Sequence, residues 1–255
     1  MSDILLTEEQ RDLQAMFRDF ARKEIIPISA EYDEKGEFPR EVFNKAVDMG
    51  LTTLGVPAKY GGGGEGALTG SLLSEELGYA DAGFAVAVGA CNLATIPVMM
   101  GGNEAQVQEV ADIMLQGGMA AFCLTEAAAG SDAAALRTTA TRDGDDYIIN
   151  GTKAFITNGG VADIYTVFAT VDKELGHKGI TAFLAPRHLP GISVGKEENK
   201  MGIRLSNTTE VVFEDVRVPA KNIIGEVGKG MKIALGTLNR TRAQGAAAAV
   251  GLSQR

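Results

Sequence analysis

The sequence has no tryptophan, only two cysteines and two histidines, and no excess of positive charge. Cys91 and Cys123 form neither a CxxC pair nor a Cys/His cluster, which argues against a disulfide framework and against a metal site. We expect both to be buried thiols. The net charge of −9 argues against a nucleic-acid backbone as a partner, because phosphate contacts need a basic surface.

Targeting and membrane signals are also missing from the sequence pattern. The first ten residues, MSDILLTEEQ, have neither the basic nor the apolar region of a signal peptide. We interpret the apolar stretches as shorter than the 18 residues of a membrane span, so we predict no membrane partner. With 45% hydrophobic and 22% charged residues, the composition is that of a globular protein. We expect a cytoplasmic location.

The first 118 residues predict an all-α domain. Residues 7–30 have apolar side chains at helical spacing after the N-cap Thr7, and Pro27 is expected to end or kink this helix. A second helix is predicted from Pro39 to Met49, with Gly50 as its stop. Further helices are predicted at about 68–80, 82–101 and 104–116.

The following hundred residues predict a β-barrel or sandwich. Short runs rich in β-branched and aromatic residues occupy 120–125, 138–157, 164–170, 180–186, 191–196 and 209–219. Turn signals lie between them at Asp143-Gly144, Asn150-Gly151, Asn158-Gly159 and Pro190-Gly191. From residue 225 the helical period returns and continues to Arg255, so we expect the chain to stop inside an element. The predicted fold is α+β, with domains at 1–118, 119–224 and 225–255.

Several charged or glycine-rich positions favour a structural interpretation. His177 and His188 lie in polar stretches and are expected on the surface, and Glu75 and Glu76 are expected on a solvated helix face. GEVGKG (225–230) lacks the GxGxxG spacing, so a tight turn into the helix is favoured over a phosphate loop.

The segment CLTEAAAGSD (123–132) has two interpretations. Its small residues allow the backbone to approach something flat, with hydroxyl groups aimed at it. Alternatively, it is a β-turn in which Asp132 begins a short helix. The composition of the segment leaves both open.

Taken in order, the motifs resemble the acyl-CoA dehydrogenase flavoprotein family. The resemblance rests on CLTEAAAGSD and on LTEEQ (6–10), FPREVFNKAVDMGL (38–51), VPAKYGGGG (56–64), INGTKAFITNGGVADIYTVFA (149–169) and FEDVRVPAKNIIGEVGKGMKIALGTLNRTR (213–242). The chain departs from the family pattern at Ala127, where proline is usual, and at Ala58 and Lys59, which replace an acidic pair. Phe155 stands where many relatives have tryptophan.

The resemblance implies an FAD site made largely of backbone. The implied cofactor-binding residues are Phe122, Cys123, Leu124, Thr125, Gly130, Ser131, Phe155, Ile156 and Thr157. Leu124 and Thr125 are expected at the pyrimidine edge of the flavin and the Thr157 hydroxyl near its reactive nitrogen. Ser131, Asn239 and Arg242 are the implied acyl-CoA contacts.

The implied activity is α,β-dehydrogenation of an acyl-CoA of short- or medium-chain type, with electrons passed to an electron-transferring flavoprotein. In the family the base is a glutamate beyond the point matching Arg255, or at the position of Thr241, so no catalytic residue is assigned to this chain. The resemblance also implies a homotetramer in a full-length protein. A fragment is favoured over a chain completed by a second subunit. Acyl-CoA oxidases, flavin monooxygenases and a non-catalytic flavin- or acyl-CoA-binding subunit stay as alternatives.

Overall fold

The computed structural model describes residues 6–255, so the predicted domain 1–118 begins in five residues that lie outside the described part. Up to residue 118 the described chain is helical. Its helices are α1 Glu8–Phe20, α2 Ile26–Lys35, α3 Arg40–Asp48, α4 Ala67–Ala80, α5 Ala82–Gly101 and α6 Glu104–Leu115. The predicted N-terminal helical region is confirmed.

The first helix does not end near Pro27; helical backbone continues to Lys35. A π-helical turn, Ala21–Ile25, comes before the proline, and the N–H of Ile26 bonds to a carbonyl five residues back. In a regular α-helix the ring of Pro27 would crowd the carbonyl of Lys23. The wider turn relieves that conflict, so helical backbone continues past Pro27.

The predicted boundaries of the next helices are confirmed to within two residues. α3 follows Pro39 and stops before Gly50, whose φ of 73° lies in the left-handed region that glycine tolerates best. Asn103 and Gln106 form a reciprocal capping box at the start of α6.

The interpretation that no apolar stretch reaches 18 residues is wrong for α5. Its 20 residues are long and apolar enough, by length and composition, to cross a membrane. However, 61% of the most apolar window is buried inside the protein. Core helices of globular proteins share this pattern, because a helix surrounded by protein needs no polar face.

The chain then changes to strands. They are β1 Ala120–Cys123, β2 Thr139–Asp143, β3 Asp146–Thr157, β4 Ile164–Thr170, β5 Ile180–Pro186, β6 Ile192–Glu197, β7 Thr208–Pro219 and β8 Ile223–Ile224. One eight-stranded sheet has the order β6-β7-β3-β2-β4-β5-β8, and β1 pairs in parallel with β4. The helix α7 Gly230–Gln254 follows. The predicted α+β class is confirmed, whereas the exact domain boundaries stay predictions.

The Asn150-Gly151 pair does not make the predicted turn. Both residues lie inside β3, at a register shift opposite β7. A Cβ added at Gly151 would lie 2.4 Å from the Thr138 hydroxyl, so the strand needs glycine there to pass this neighbour. The other three turn signals are confirmed by positive φ values at Gly144, Asn158 and Gly191.

The described residues form two compact units. Unit 1 contains residues up to Gly89 together with Asn199–Ser206 and Arg240–Arg255, and unit 2 contains Ala90–Glu198 and Asn207–Asn239. Unit 1 has an aromatic core of Phe20, Phe43 and Phe84. The core of unit 2 comes from the sheet and includes Ile149, Tyr165, Val167, Phe183, Phe213 and Val218.

Glu76 is buried, contrary to the prediction of a solvated face. Within unit 1 its carboxylate accepts hydrogen bonds from Arg18 at 2.6 Å and from Gln14 at 3.0 Å. The hydrogen bond with Glu76 raises the pKa of Arg18, although burial opposes it. Glu75 is half-buried and accepts a hydrogen bond from Gln254. A buried carboxylate is stable here because a guanidinium neutralises it.

Glycines let the end of α7 approach α4 inside unit 1. A Cβ at Gly251 would lie 1.9 Å from the carbonyl oxygen of Glu75, and one at Gly78 would lie 2.3 Å from that of Ala248. Real Cβ atoms do not come so close to backbone oxygens. The close contact between α7 and α4 therefore requires glycine, which has no side chain, at both positions.

We expect Gly251→Ala to lower the free energy of unfolding by about 1–3 kcal/mol, because the new methyl group overpacks the contact with α4. Gly245→Ala is the matched control on the same helix, since a Cβ there meets nothing within 4 Å. That control should gain up to about 1 kcal/mol from helix propensity. Urea unfolding of both variants measures the difference, and equal stabilities would contradict the close contact.

Candidate functional site

The structure brings the two predicted flavin segments together in unit 2. The N–H of Ala154 in β3 donates to the carbonyl of Thr125, which follows β1, at 2.9 Å. At the preceding residue of each segment, Lys153 Nζ donates to the carbonyl oxygen of Leu124 at 3.2 Å. Residues 29 positions apart in the sequence are thereby joined into one local surface.

A buried ion pair holds this junction. Lys153 Nζ lies 2.8 Å from Glu126 Oε1, and the two side chains are 0% and 7% exposed. The carboxylate also accepts hydrogen bonds from the N–H groups of Arg137 and Thr138, at 2.6 and 2.9 Å, and from the Thr138 hydroxyl at 2.6 Å. Glu126 therefore ties together β1, β3 and the start of β2.

The pKa shifts of the pair follow from burial and mutual attraction. Burial raises the pKa of Glu126, but the Lys153 ammonium and the other donors outweigh it and leave that pKa below its usual value. Burial lowers the pKa of Lys153, and the carboxylate opposes this shift. We conclude that Glu126 is ionised at neutral pH and neutralises the ammonium.

The loop after Glu126 forms the β-turn and short helix of the second interpretation of CLTEAAAGSD, and the approach to a flat ligand stays a prediction. Glu126 and Ala129 exchange backbone hydrogen bonds of 3.1 and 3.0 Å, which close a tight turn. A short 3₁₀ helix, Ala133–Ala135, follows Asp132. Gly130 and Ser131 are exposed beyond the turn. The turn and short helix are present, and they leave a surface of small residues open.

Phe155 has a strained backbone at the centre of the junction. Its φ is +56°, and its side chain is 60% exposed. It lies at a second register shift, where three steps of β3 from Lys153 to Ile156 oppose two steps of β7. A bulge of this kind aims one side chain away from the regular alternation. A residue held in a rarely populated backbone conformation costs about 1–3 kcal/mol, and such residues concentrate at functional sites.

Several polar groups at the junction have no hydrogen-bond partner among the described residues. Within residues 6–255, neither the N–H nor the hydroxyl of Thr125 makes a hydrogen bond, and the same holds for the hydroxyls of Thr157 and Ser131. Thr125 and Thr157 are half-buried, and Ser131 is exposed. The surface therefore presents several donors that are ready for a polar ligand.

The other predicted cofactor residues are mostly buried. Cys123, Leu124 and Ile156 are buried, and burial raises the pKa of the Cys123 thiol to about 12, so it stays protonated. Phe122 is half-buried against Phe168, with ring centroids 5.0 Å apart. Cys91 is buried as well, which confirms both cysteines as buried thiols.

Asn239 lines a separate groove of about 1050 Å³ in unit 2, beside α7. The groove has three lysines on its rim, Lys178, Lys229 and Lys232, which form no ion pair with any residue described. His177, predicted to be a surface residue, is exposed on this rim. None of the flavin-segment residues lines the groove.

The GEVGKG segment forms a turn, as favoured from the sequence. Lys229 N–H donates to the carbonyl of Glu226, and Gly225 and Gly228 have positive φ. A Cβ at Gly228 would lie 2.4 Å from the carbonyl oxygen of Lys178, which explains the glycine. Arg242 and His188 are exposed, the former farther along α7.

Sequence reasoning missed Glu126 and Lys153 as site residues. Lys153 interrupts the apolar alternation of a strand, and an unpaired buried lysine is rare, so its position was a usable signal. Its partner lies 27 residues away, and only the fold identifies it.

Two family models together match most of the chain. The model described as "Acyl-CoA dehydrogenase, N-terminal domain" matches residues 7–118, and "Acyl-CoA dehydrogenase, middle domain" matches 121–216. The short-chain specific acyl-CoA dehydrogenase of Megasphaera elsdenii is 43% identical over 99% of this chain and 67% of its own length. The chain belongs to the acyl-CoA dehydrogenase family. It spans about two thirds of the length of the curated relatives it matches.

Solved structures of this acyl-CoA dehydrogenase family agree. Butyryl-CoA dehydrogenase from Megasphaera elsdenii has a TM-score of 0.94 and 43% identity, covering 98% of this chain and 67% of that one. A chain in the structure of the electron transferring flavoprotein of Acidaminococcus fermentans has a TM-score of 0.95 and 41% identity, covering 98% and 66%. Homologues are FAD-dependent, and a Bacillus anthracis acyl-CoA dehydrogenase is described as complexed with FAD, at a TM-score of 0.89 and 34% identity, covering 97% and 42%.

We expect Lys153→Met to lower the free energy of unfolding at pH 7 by about 3–5 kcal/mol, because Glu126 stays buried without its counter-ion. Lys196→Met is the control: its side chain is 70% exposed, 3.7 Å from Glu198, and its loss should cost under about 1 kcal/mol. Urea unfolding checks both. A similar loss in the two variants would contradict the importance of the ion pair.

The deficit of Lys153→Met should shrink as the pH falls. Without the ammonium, burial, which is already the largest influence on the Glu126 pKa, is opposed only by the remaining hydrogen-bond donors, and we expect the folded-state pKa to rise above the unfolded value. Such a group binds its proton more tightly when folded, so acid stabilises the variant relative to neutral pH. In the wild type the depressed pKa of Glu126 has the opposite effect, because it gives stability that is lost as the pH falls. We therefore expect the stability gap to narrow between pH 7 and pH 5.

Proposed function

We propose that this chain forms the flavin wall and part of the acyl-CoA site of an FAD-dependent acyl-CoA dehydrogenase for short acyl chains. The observation that carries the proposal is the junction of Leu124–Thr125 with Lys153–Phe155. It leaves polar donors without a partner in the described part of the chain, on a surface of small residues. The relatives named above support the family activity and the short-chain type.

The residues present fit FAD. Thr125 offers an N–H and a hydroxyl at one place, and Thr157 offers a hydroxyl at the end of β3. The exposed ring of Phe155 supplies an apolar cover for a flat ring system. Bound FAD supplies a two-electron acceptor for the hydrogen that leaves the substrate's β carbon.

The groove beside α7 fits the anionic nucleotide end of an acyl-CoA. The protein carries a net charge of −9, yet this groove gathers three lysines around Asn239 against one carboxylate, Glu226. Phosphates are attracted to such local positive charge. Ser131 and Arg242 are the further proposed contacts with the substrate.

The α proton of a thioester needs a base and a stabilised enolate to leave. Residues 227–255 include no carboxylate, and a Thr241 hydroxyl is too weak a base at neutral pH. Because the family resemblance puts the base at the position of Thr241 or beyond the point matching Arg255, we propose that the base comes from outside residues 1–255. The role of this chain is to position the flavin and the thioester and to exclude water around the β carbon.

The proposal includes an electron-transferring flavoprotein as electron acceptor, a homotetrameric assembly of the complete protein and a cytoplasmic location. The similarity to a chain in the Acidaminococcus fermentans structure supports the electron-transferring flavoprotein as acceptor.

An oxidase is the alternative function that a specific observation favours. The prolyl acyl carrier protein oxidase AnaB is 34% identical, with a TM-score of 0.93, covering 98% of this chain and 67% of that one. An oxidase would release hydrogen peroxide in air when given its substrate.

The test uses the purified 255-residue chain, loaded with FAD without oxygen and mixed with butyryl-CoA. Loss of the visible flavin band would establish dehydrogenation and would contradict a base outside the chain. A yellow protein that stays yellow would support the flavin wall and the missing base. A colourless protein would count against an FAD site built by these residues alone.

We expect Thr157→Ala to retain bound flavin but to slow its reduction about 3–10-fold, because one hydrogen bond to the ring is lost. Thr152→Ala is the control, since Thr152 is an exposed threonine of the same strand. Stopped-flow absorbance measures the rate of flavin reduction by butyryl-CoA. The protein used is the one whose flavin butyryl-CoA reduces, either this chain or a longer product that contains it. An unchanged rate of flavin reduction would contradict the proposed contact between Thr157 and the flavin ring.

We expect Ser131→Ala to weaken acyl-CoA binding about 3–10-fold through loss of a hydroxyl donor. Ser193→Ala, an exposed serine on β6, serves as the control. Spectral titration of the FAD-loaded protein with butyryl-CoA gives the dissociation constants. An unaltered titration would count against Ser131 as a substrate contact.

A further inference from the structure

A buried cation touches the Leu124–Thr125 peptide from one side. Lys153 Nζ donates to the carbonyl oxygen of Leu124 at 3.2 Å and is itself held at 2.8 Å by Glu126 Oε1. The lysine side chain is completely buried. Next along β3, the Ala154 N–H bonds to the Thr125 carbonyl at 2.9 Å, so β3 holds two successive carbonyls of this segment.

The direction of the Thr125 N–H follows from peptide geometry. No described peptide bond is cis, and in a planar trans peptide the C=O and N–H groups point in opposite directions. Because the Leu124 oxygen faces the buried ammonium, the Thr125 N–H points away from it. This N–H meets no acceptor within residues 6–255, and Thr125 is only half-buried.

We propose that Lys153, anchored by Glu126, is a positioning residue that aims and strengthens the Thr125 N–H as a hydrogen-bond donor to the pyrimidine edge of FAD. This inference rests on the proposed function. A charge-assisted hydrogen bond to the carbonyl polarises the peptide, and a polarised N–H is a stronger donor. Such a donor favours the reduced ring, which carries more negative charge, and so raises the flavin's reduction potential.

The partners of Glu126 make the ammonium the dominant charge at this peptide. The carboxylate is also engaged by the backbone N–H groups of Arg137 and Thr138 and by the Thr138 hydroxyl. Its negative charge is thereby shared with donors on the β2 side. The group in contact with the Leu124 carbonyl is the positive one.

The experiment measures the midpoint potential of FAD bound to the 255-residue chain, by spectroelectrochemical titration against a reference dye at fixed pH. The variants are Lys153→Met, Lys153→Met/Glu126→Gln and the surface control Lys196→Met. The double variant leaves no buried charge unpaired, so it should recover stability that the single variant loses. If the role of Lys153 were purely structural, the double variant would regain the wild-type midpoint potential together with its stability.

We expect both variants that remove the Lys153 ammonium to lower the ratio of reduced-FAD to oxidised-FAD affinity about tenfold. For a two-electron couple this equals about 30 mV. Lys196→Met should stay within about twofold of the wild type. A double variant that folds, binds FAD and keeps the wild-type potential overturns the inference and leaves the proposed function standing. A wild-type chain that binds no FAD overturns both.

If neither Lys153 variant binds FAD, the wild-type chain decides. Labelling leucine carbonyls with ¹³C and threonine amides with ¹⁵N selects the four Leu–Thr peptides of the sequence. Adding FAD should move the Thr125 amide proton downfield, as expected for a new hydrogen bond to the ring. An unmoved resonance with FAD bound overturns the inference.

Discussion

The ion pair between Lys153 and Glu126 is the constraint on which the rest of the candidate site depends. Both charges are withdrawn from water, and burial is the largest influence on the pKa of each. Removing two charges from water costs several kcal/mol, which is offset only where geometry and additional donors are good. Arg137 and Thr138 supply those donors to the carboxylate. The segments that meet at the pair are therefore held in one arrangement.

That rigidity accounts for the exposed features of the site. Phe155 keeps a left-handed backbone and an exposed ring because the residues on either side of it are fixed, by the Ala154–Thr125 bond and by the pairing of Ile156 with β7. The Thr125 N–H has no acceptor among residues 6–255 because the Lys153 ammonium fixes the peptide from its carbonyl side. A surface of preorganised donors costs little reorganisation when a ligand arrives, which is how polar sites contribute to catalysis.

Local signals predicted most elements to within a few residues, since caps, turn pairs and apolar spacing act over short distances. The failures have physical causes. Pro27 is passed by a π-helical turn, and Gly151 marks a bulge in place of a turn. Glu76 is buried because Arg18 from another helix neutralises it. The absence of charge in α5 reflects a helix that is mostly enclosed by protein.

The sequence by itself determined the α+β class, the family and the two segments, around Thr125 and Thr157, that the resemblance assigns to a flavin. These follow from periodicity and from motifs whose residues are close together in the chain. The tertiary structure decided which charged residues hold those segments, because Lys153 and Glu126 lie 27 positions apart and have no common local pattern. It also decided the direction of the Thr125 N–H. In a planar trans peptide this N–H points opposite to the Leu124 carbonyl, and only the fold shows that the carbonyl faces Lys153.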